Sequence, residues 1–175
     1  MTDAGDCGAA SDPYDLSCFV QAQKADCDGK RERMTVDPST ERFELAIQVL
    51  PEDIDLFDHV NNVVYVRWVQ EVSTAHWVAA ATDVWKEAIG WVVVRHEIDY
   101  LNPARLGDEI VGRTWVGTAR KHIFERYVEI VRVRDRKVLA RARSLWCPID
   151  LRSRRLTRVG AEIYERFSVN PNSYS

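Results

Sequence analysis

Residues 53–68 read DIDLFDHVNNVVYVRW: three acids and a histidine within seven positions, two asparagines, then a run that turns apolar. From Asn61 or Asn62, either of which suits a helix N-cap, Tyr65, Trp68, Val69, Val72, Ala75 and Ala79 recur at intervals of three and four, while Arg67, Gln70, Glu71 and Ser73 fall elsewhere around the axis. That spacing predicts an amphipathic helix of about five turns. Upstream, Phe43, Leu45, Ile47 and Val49 alternate with polar residues at the period of a half-buried strand, which Pro51 ends.

Downstream, a short helix is expected from Asp83, with Gly90 as its stop. Residues 91–101, 109–119, 123–134 and 138–149 then read as strands, separated by turn residues at Asn102-Pro103, Gly107-Asp108 and Asp135. A further short strand, RLTRV, and a closing helical turn, AEIYERF, follow. Val131 and Val133 are expected on a dry face, with Arg132 and Arg134 on a wet one. One long helix between a lone strand and an antiparallel meander predicts an α+β fold, its sheet of about five strands curled around the helix.

At 175 residues, 46% hydrophobic and 29% charged, the chain suits one globular domain with a real core. The net charge of −3 is uneven, since residues 1–40 hold eight acids against four bases. Residues 1–38 are therefore read as an acidic, mobile extension and residues 39–175 as the domain. No apolar run is long enough to cross a bilayer, and the N-terminus is acidic, so neither membrane insertion nor secretion is expected. Cys7, Cys18, Cys27 and Cys147 match no zinc spacing, which points to reduced thiols in a cytoplasm and no metal site. The basic excess over residues 104–158, fifteen Lys or Arg against six acids, suits an anionic ligand. Without a recognition helix or stacking motif it does not suit nucleic acid.

The crowding of acids before a helix has a plain reading, because acids and asparagine cap helix starts. One cap is enough for one helix, however, and a helix start also offers unpaired N–H groups able to hold an oxygen that becomes negative. A carboxylate just upstream is then placed for acyl transfer, as nucleophile or as general base toward water.

The ordered set Asp53-x-Asp55-x-x-x-His59-Val60-Asn61-Asn62-x-x-Tyr65 resembles the signature of the hotdog-fold acyl-CoA thioesterases related to 4-hydroxybenzoyl-CoA thioesterase. The segment from His96 to Asp108 resembles that family's second strand and the turn after it, and the likeness runs over roughly residues 42–159. The resemblance implies a hotdog fold and hydrolysis of acyl-CoA to a carboxylic acid and CoA without metal or redox cofactor. It places the catalytic carboxylate at Asp55 and the oxyanion-holding amide at Asn62, with His59 and Asn61 ordering the loop or meeting substrate. Phe57, with Trp77 and Trp91, is a candidate wall for the acyl group. Arg120 and Lys121, then Arg155 with Arg154, are the candidates for coenzyme A phosphates. Asp58 stands where many relatives carry glycine, so the loop either holds an aspartate in a left-handed or strained conformation or follows another path. A homodimer or homotetramer joined at sheet edges is also implied. Acyl-carrier-protein thioesterases share His-Val-Asn-Asn but carry Asn where this chain has Phe57. A non-catalytic acyl-CoA binding module is the remaining alternative.

Overall fold

The computed structural model describes residues 42–120 and 122–169. The extension expected over residues 1–38, its three cysteines and Lys121 lie outside the described residues. The elements are β1 (Phe43–Gln48), α1 (Asn62–Ala80), α2 (Asp83–Ala88), β2 (Ile89–Tyr100), β3 (Glu109–Arg120), β4 (Ile123–Arg132), β5 (Val138–Asp150) and α3 (Ala161–Arg166). The strands form one open antiparallel sheet in the order β1-β3-β4-β5-β2, with β1 and β2 at its edges. A long helix against an antiparallel five-stranded sheet is the hotdog arrangement that the resemblance implied.

The seam between helix and sheet is the main core, in which Tyr65, Trp68, Val69 and Val72 of α1 join Ile47, Ile110, Val128, Ile130 and Leu139 from the strands. Fully burying such a side chain contributes roughly 1.5–3 kcal/mol. Gly112 lets the layers meet, because a Cβ there would lie 2.3 Å from Cγ2 of Val72.

Several expectations need correction. In the second half of α1 the inward stripe passes through Ser73, which is buried, whereas Ala79 is exposed. Ser73 hides its hydroxyl by donating to the Val69 carbonyl at 2.6 Å, so a polar residue sits inward without an orphaned group. Gly90 does not stop α2 but lies in β2, where a Cβ would come within 2.7 Å of the Leu151 side chain. RLTRV contributes only an isolated bridge between Ile149 and Leu156. Arg132 is buried rather than wet and pairs with Asp108 at 3.2 Å and Asp135 at 3.0 Å, while Val133 is exposed. Arg141 and Arg143 do behave as outer-face residues, paired with Glu129 and Glu97 on neighbouring strands. No helix among the described residues is long and apolar enough to cross a membrane.

Candidate active site

The quoted stretch forms a tight loop pinned between sheet and helix. Pro51–Asp53 make a single 3₁₀ turn, Ile54 and Val60 bridge each other, and the Val60 amide donates to the Ala104 carbonyl at 2.9 Å. Between them residues 55–59 fold back: the Asp55 amide donates to the His59 carbonyl at 2.7 Å and the Asp58 amide to the Asp55 carbonyl at 3.2 Å. Asp58 takes φ 57°, the left-handed conformation, which is the first of the two alternatives that its place in the motif left open.

The two acids of the Asp-x-Asp pair divide sharply. Asp53 is 1% exposed and committed to the fold, accepting from Arg67 Nη2 at 2.8 and 2.9 Å and from the Leu50 amide at 3.0 Å. Arg67 pairs with Glu71 one turn on at 3.4 Å as well as holding Asp53. Asp55 is half-buried, and its Oδ1 accepts from the Phe57 amide at 2.8 Å and the His59 amide at 3.4 Å. Its Oδ2 has no hydrogen-bond partner among the described residues. One carboxylate oxygen is thus fixed by the loop while the other is left available.

Asn61 is the N-cap. Its Oδ1 accepts from the Val63 amide at 3.0 Å, and its carbonyl accepts from the Val64 amide at 2.9 Å. The Asn62 amide has no acceptor among the described residues, so one N–H of the first turn stays open. The Tyr100 hydroxyl anchors the same turn by donating to the Asn62 carbonyl at 3.1 Å, and Tyr65 serves the fold, accepting from the Ala104 amide at 2.8 Å. His59 is half-buried and contributes its backbone to the loop.

The remaining candidates are not gathered here. Phe57 is 79% exposed, and Leu56 and Val63 beside it are exposed as well, so in a single chain this apolar group walls nothing. Trp77 and Trp91 line a separate cavity. Arg120 ends β3, and the Arg155 carbonyl accepts from Asp150, the residue paired with Ile89 at the start of β2. The Asp55 loop bonds to Ala104, beyond the other end of β2, so roughly 25–35 Å of strand separates these cations from it. The nearby cation that the motif alone did not single out is Arg105, whose Nη1 donates to the Asp58 carbonyl at 3.4 Å. Among the described residues no group of three His, Cys, Asp or Glu gathers for a metal ion.

A half-fixed carboxylate beside an open helix-start amide is an arrangement suited to acyl transfer, and comparison with known proteins agrees in kind. No curated protein matches the chain in sequence. Among solved structures, the chain is similar to a 1,4-dihydroxy-2-naphthoyl-CoA thioesterase from Synechocystis, at 20% identity over 73% of this chain and 96% of that one, with a TM-score of 0.63. A thioesterase from Thermus thermophilus, complexed with coenzyme A and Zn, is similar at 21% identity over 71% and 90%, TM-score 0.62. The 12:0-ACP thioesterase of Umbellularia californica is similar at 17% over 77% and 51%, TM-score 0.61. The family model of the thioesterase-like superfamily matches residues 49–167, and the chain belongs to that superfamily.

Proposed function

We propose that the chain hydrolyses acyl-CoA thioesters, with Asp55 as the catalytic carboxylate and the Asn62 amide as oxyanion donor. The observation that carries this reading is that, among the described residues, one short loop runs from a carboxylate oxygen without a partner to a helix-start N–H without an acceptor. In the nucleophilic route, Asp55 attacks the thioester carbonyl, the C–S bond breaks, and CoA leaves as a thiolate that takes up a proton. Water then cleaves the resulting anhydride to the acid and restores the carboxylate. In the general-base route, Asp55 takes a proton from the attacking water. Either way the carbonyl oxygen gains charge while facing the Asn62 amide. His59 and Asn61 hold the loop that sets this geometry.

A homodimer completes the site. β2 is a 12-residue edge whose outer side lacks a strand neighbour among the described residues, and Leu56, Phe57 and Val63, close in sequence to the candidate carboxylate, are exposed. Antiparallel pairing of two β2 edges would bring one protomer's Asp55 loop to the strand ends carrying the partner's Arg120 and the partner's Arg155, where they meet coenzyme A phosphates together with Arg105. Phe57 in place of the asparagine of carrier-protein thioesterases favours CoA over a carrier protein. The buried, unpaired Cys147, its thiol pushed up to about 11 by burial, suits a reducing cytoplasm.

The test is a panel of aliphatic and aromatic acyl-CoAs assayed for free thiol, with Asp55→Asn alongside. Thiol release that falls at least about 10²-fold in the variant, with substrate binding retained, is the expected result. No release from any thioester would turn the reading to a binding module, and release only from acyl-carrier-protein substrates to the carrier-protein alternative.

A further inference from the structure

At the other end of the sheet from Asp55, the second half of α1 covers a cavity of about 200 Å³, lined by Trp77, Trp91, Phe124, Arg126, Trp146 and Phe167 among others. Gln70, the first helix residue on its wall, lies about 12 Å along the axis from Asn62. Its aromatics are locked together: Trp77 stacks on Phe167 at 5.7 Å and meets Trp91 edge-on at 5.6 Å, and Trp91 meets Phe124 at 4.9 Å. An engineered apolar cavity of about 150 Å³ admits benzene, so this one has room for a ring and one small substituent.

The wall also holds a cation without a counter-ion. Arg126 Nη1 is used by neutral acceptors, His76 Nδ1 at 3.0 Å and Thr114 Oγ1 at 3.1 Å. His76 stays uncharged there, its pKa held down to about 3 by burial and then by Arg126 and Arg166. No described carboxylate forms an ion pair with Arg126. Burial alone lowers the guanidinium, to about 10, with no acid opposing it. The other charged group on the wall, Glu125, is already engaged by Arg143, by the Thr118 hydroxyl at 2.9 Å and by the Tyr127 hydroxyl at 3.0 Å. Nε and Nη2 of Arg126 have no partner among the described residues and are not sealed. A partly desolvated charge left so is unfavourable, and a carboxylate matching its planar fork offsets that cost. The indole N–H groups of Trp91 and Trp146 also lack acceptors but are closed off, so charge recognition rests on Arg126.

We propose that this cavity binds an organic carboxylate with a compact, flat apolar body, its head paired with the Arg126 guanidinium and its body among Trp77, Trp91 and Phe124. The ligand has two sources: a free carboxylic acid, or the remote carboxylate of a thioester's acyl group held by a partner protomer. The site itself does not depend on Asp55.

The experiment titrates the full-length protein and its Asp55→Asn form with benzoate, phenylacetate and hexanoate, and with the neutral amides of each, following tryptophan emission and heat. At least one acid should bind at least tenfold more tightly than its amide, equally in both proteins. Arg126→Gln should erase the difference between acid and amide, and Arg126→Lys should keep part of it. Acids and amides binding alike to the wild type, no probe binding, or an unchanged preference in Arg126→Gln would each overturn the proposal. The source is read from turnover: if kcat/KM for CoA thioesters with a remote carboxylate falls in Arg126→Gln while that for neutral thioesters holds, the acyl group is the ligand. Acid binding that leaves both unchanged assigns the cavity to a free acid. Loss of turnover in Asp55→Asn bears on the hydrolase reading alone, because the titration requires no catalysis.

Discussion

The two ends of α1 handle charge in opposite ways. At its start, a loop rich in acids satisfies itself: Asp53 is spent on Arg67 and the Leu50 amide, and half of Asp55 on loop amides. Along its second half, a half-buried guanidinium is supported, among the described residues, by neutral groups and faces an aromatic cavity. Among the described residues, the first end leaves a carboxylate oxygen and one N–H uncommitted, and the second, a partly open aromatic cavity, leaves a positive charge uncommitted. Chemistry suits the former and recognition the latter, since a reacting group needs access while an anion-selecting group gains strength from exclusion of water.

The sharpest way to break this contrast is to exchange the fates of the two aspartates. Asp55→Asn keeps a side-chain acceptor for the Phe57 amide, so the loop should hold while thiol release falls at least about 10²-fold. Thermal unfolding alongside the assay checks both halves of the statement. Disturbing Asp53 should do the reverse. Arg67→Ala strips the buried carboxylate of the one nitrogen that contacts both its oxygens and should destabilise by about 2–3 kcal/mol, tempered by the half-exposed position of Arg67, with little change in kcat. Urea midpoints with an unchanged slope would measure it. An Arg67→Ala protein as stable as wild type, or one that loses turnover in proportion, would mean that the two acids are not divided as described.

How far each end can be read from the chain follows from its construction. The start of α1 is written in consecutive residues, so the N-cap, the Asp58 left-handed turn and the acid next to a helix start are all visible in one line of sequence. The main core is visible too, since Tyr65, Trp68, Val69 and Val72 announce the period. The cavity is not, because it draws its lining from α1, β2, β3, β4, β5 and α3, and its charge from a residue that looks like one more arginine on a strand. Ser73 reads as outward because polarity suggests exposure, yet its hydroxyl has a partner four residues back on its own helix. Ala79 reads as inward for the converse reason. Arg132 misleads in the same way, since Asp108 is distant in sequence and adjacent in space.

A smaller effect should follow from tightening the join between the two ends. Gly112 sits under the middle of α1, and alanine there would push against Val72 in the best-packed part of the core. Gly112→Ala should cost about 1–3 kcal/mol, read from the urea midpoint, and should impair cavity binding and turnover together if the helix moves as one body. If only one activity falls, the ends adjust independently.

The smallest effect belongs to acid titration of the aromatic end. His76 stacks on Phe43 and faces Arg126 and Arg166, and its pKa is lowered from 6.5 to about 3. The unfolded chain therefore takes up this proton as pH falls below about 6.5 while the folded chain does not, so stability is full above that pH and is lost toward pH 3. Between pH 7 and 5 the loss should be about 1–2 kcal/mol, less than the full shift because the ring is only partly buried. His76→Gln should flatten this slope in urea unfolding at the two pH values. It should not abolish it, since His96 is also held below its ordinary range by burial. A carboxylate seated beside Arg126 stabilises a proton on His76 by the same Coulombic logic that Arg126 uses against it. Saturating phenylacetate should therefore shrink the acid loss in the wild type, beyond its general stabilisation of the fold, and leave the His76→Gln slope unchanged.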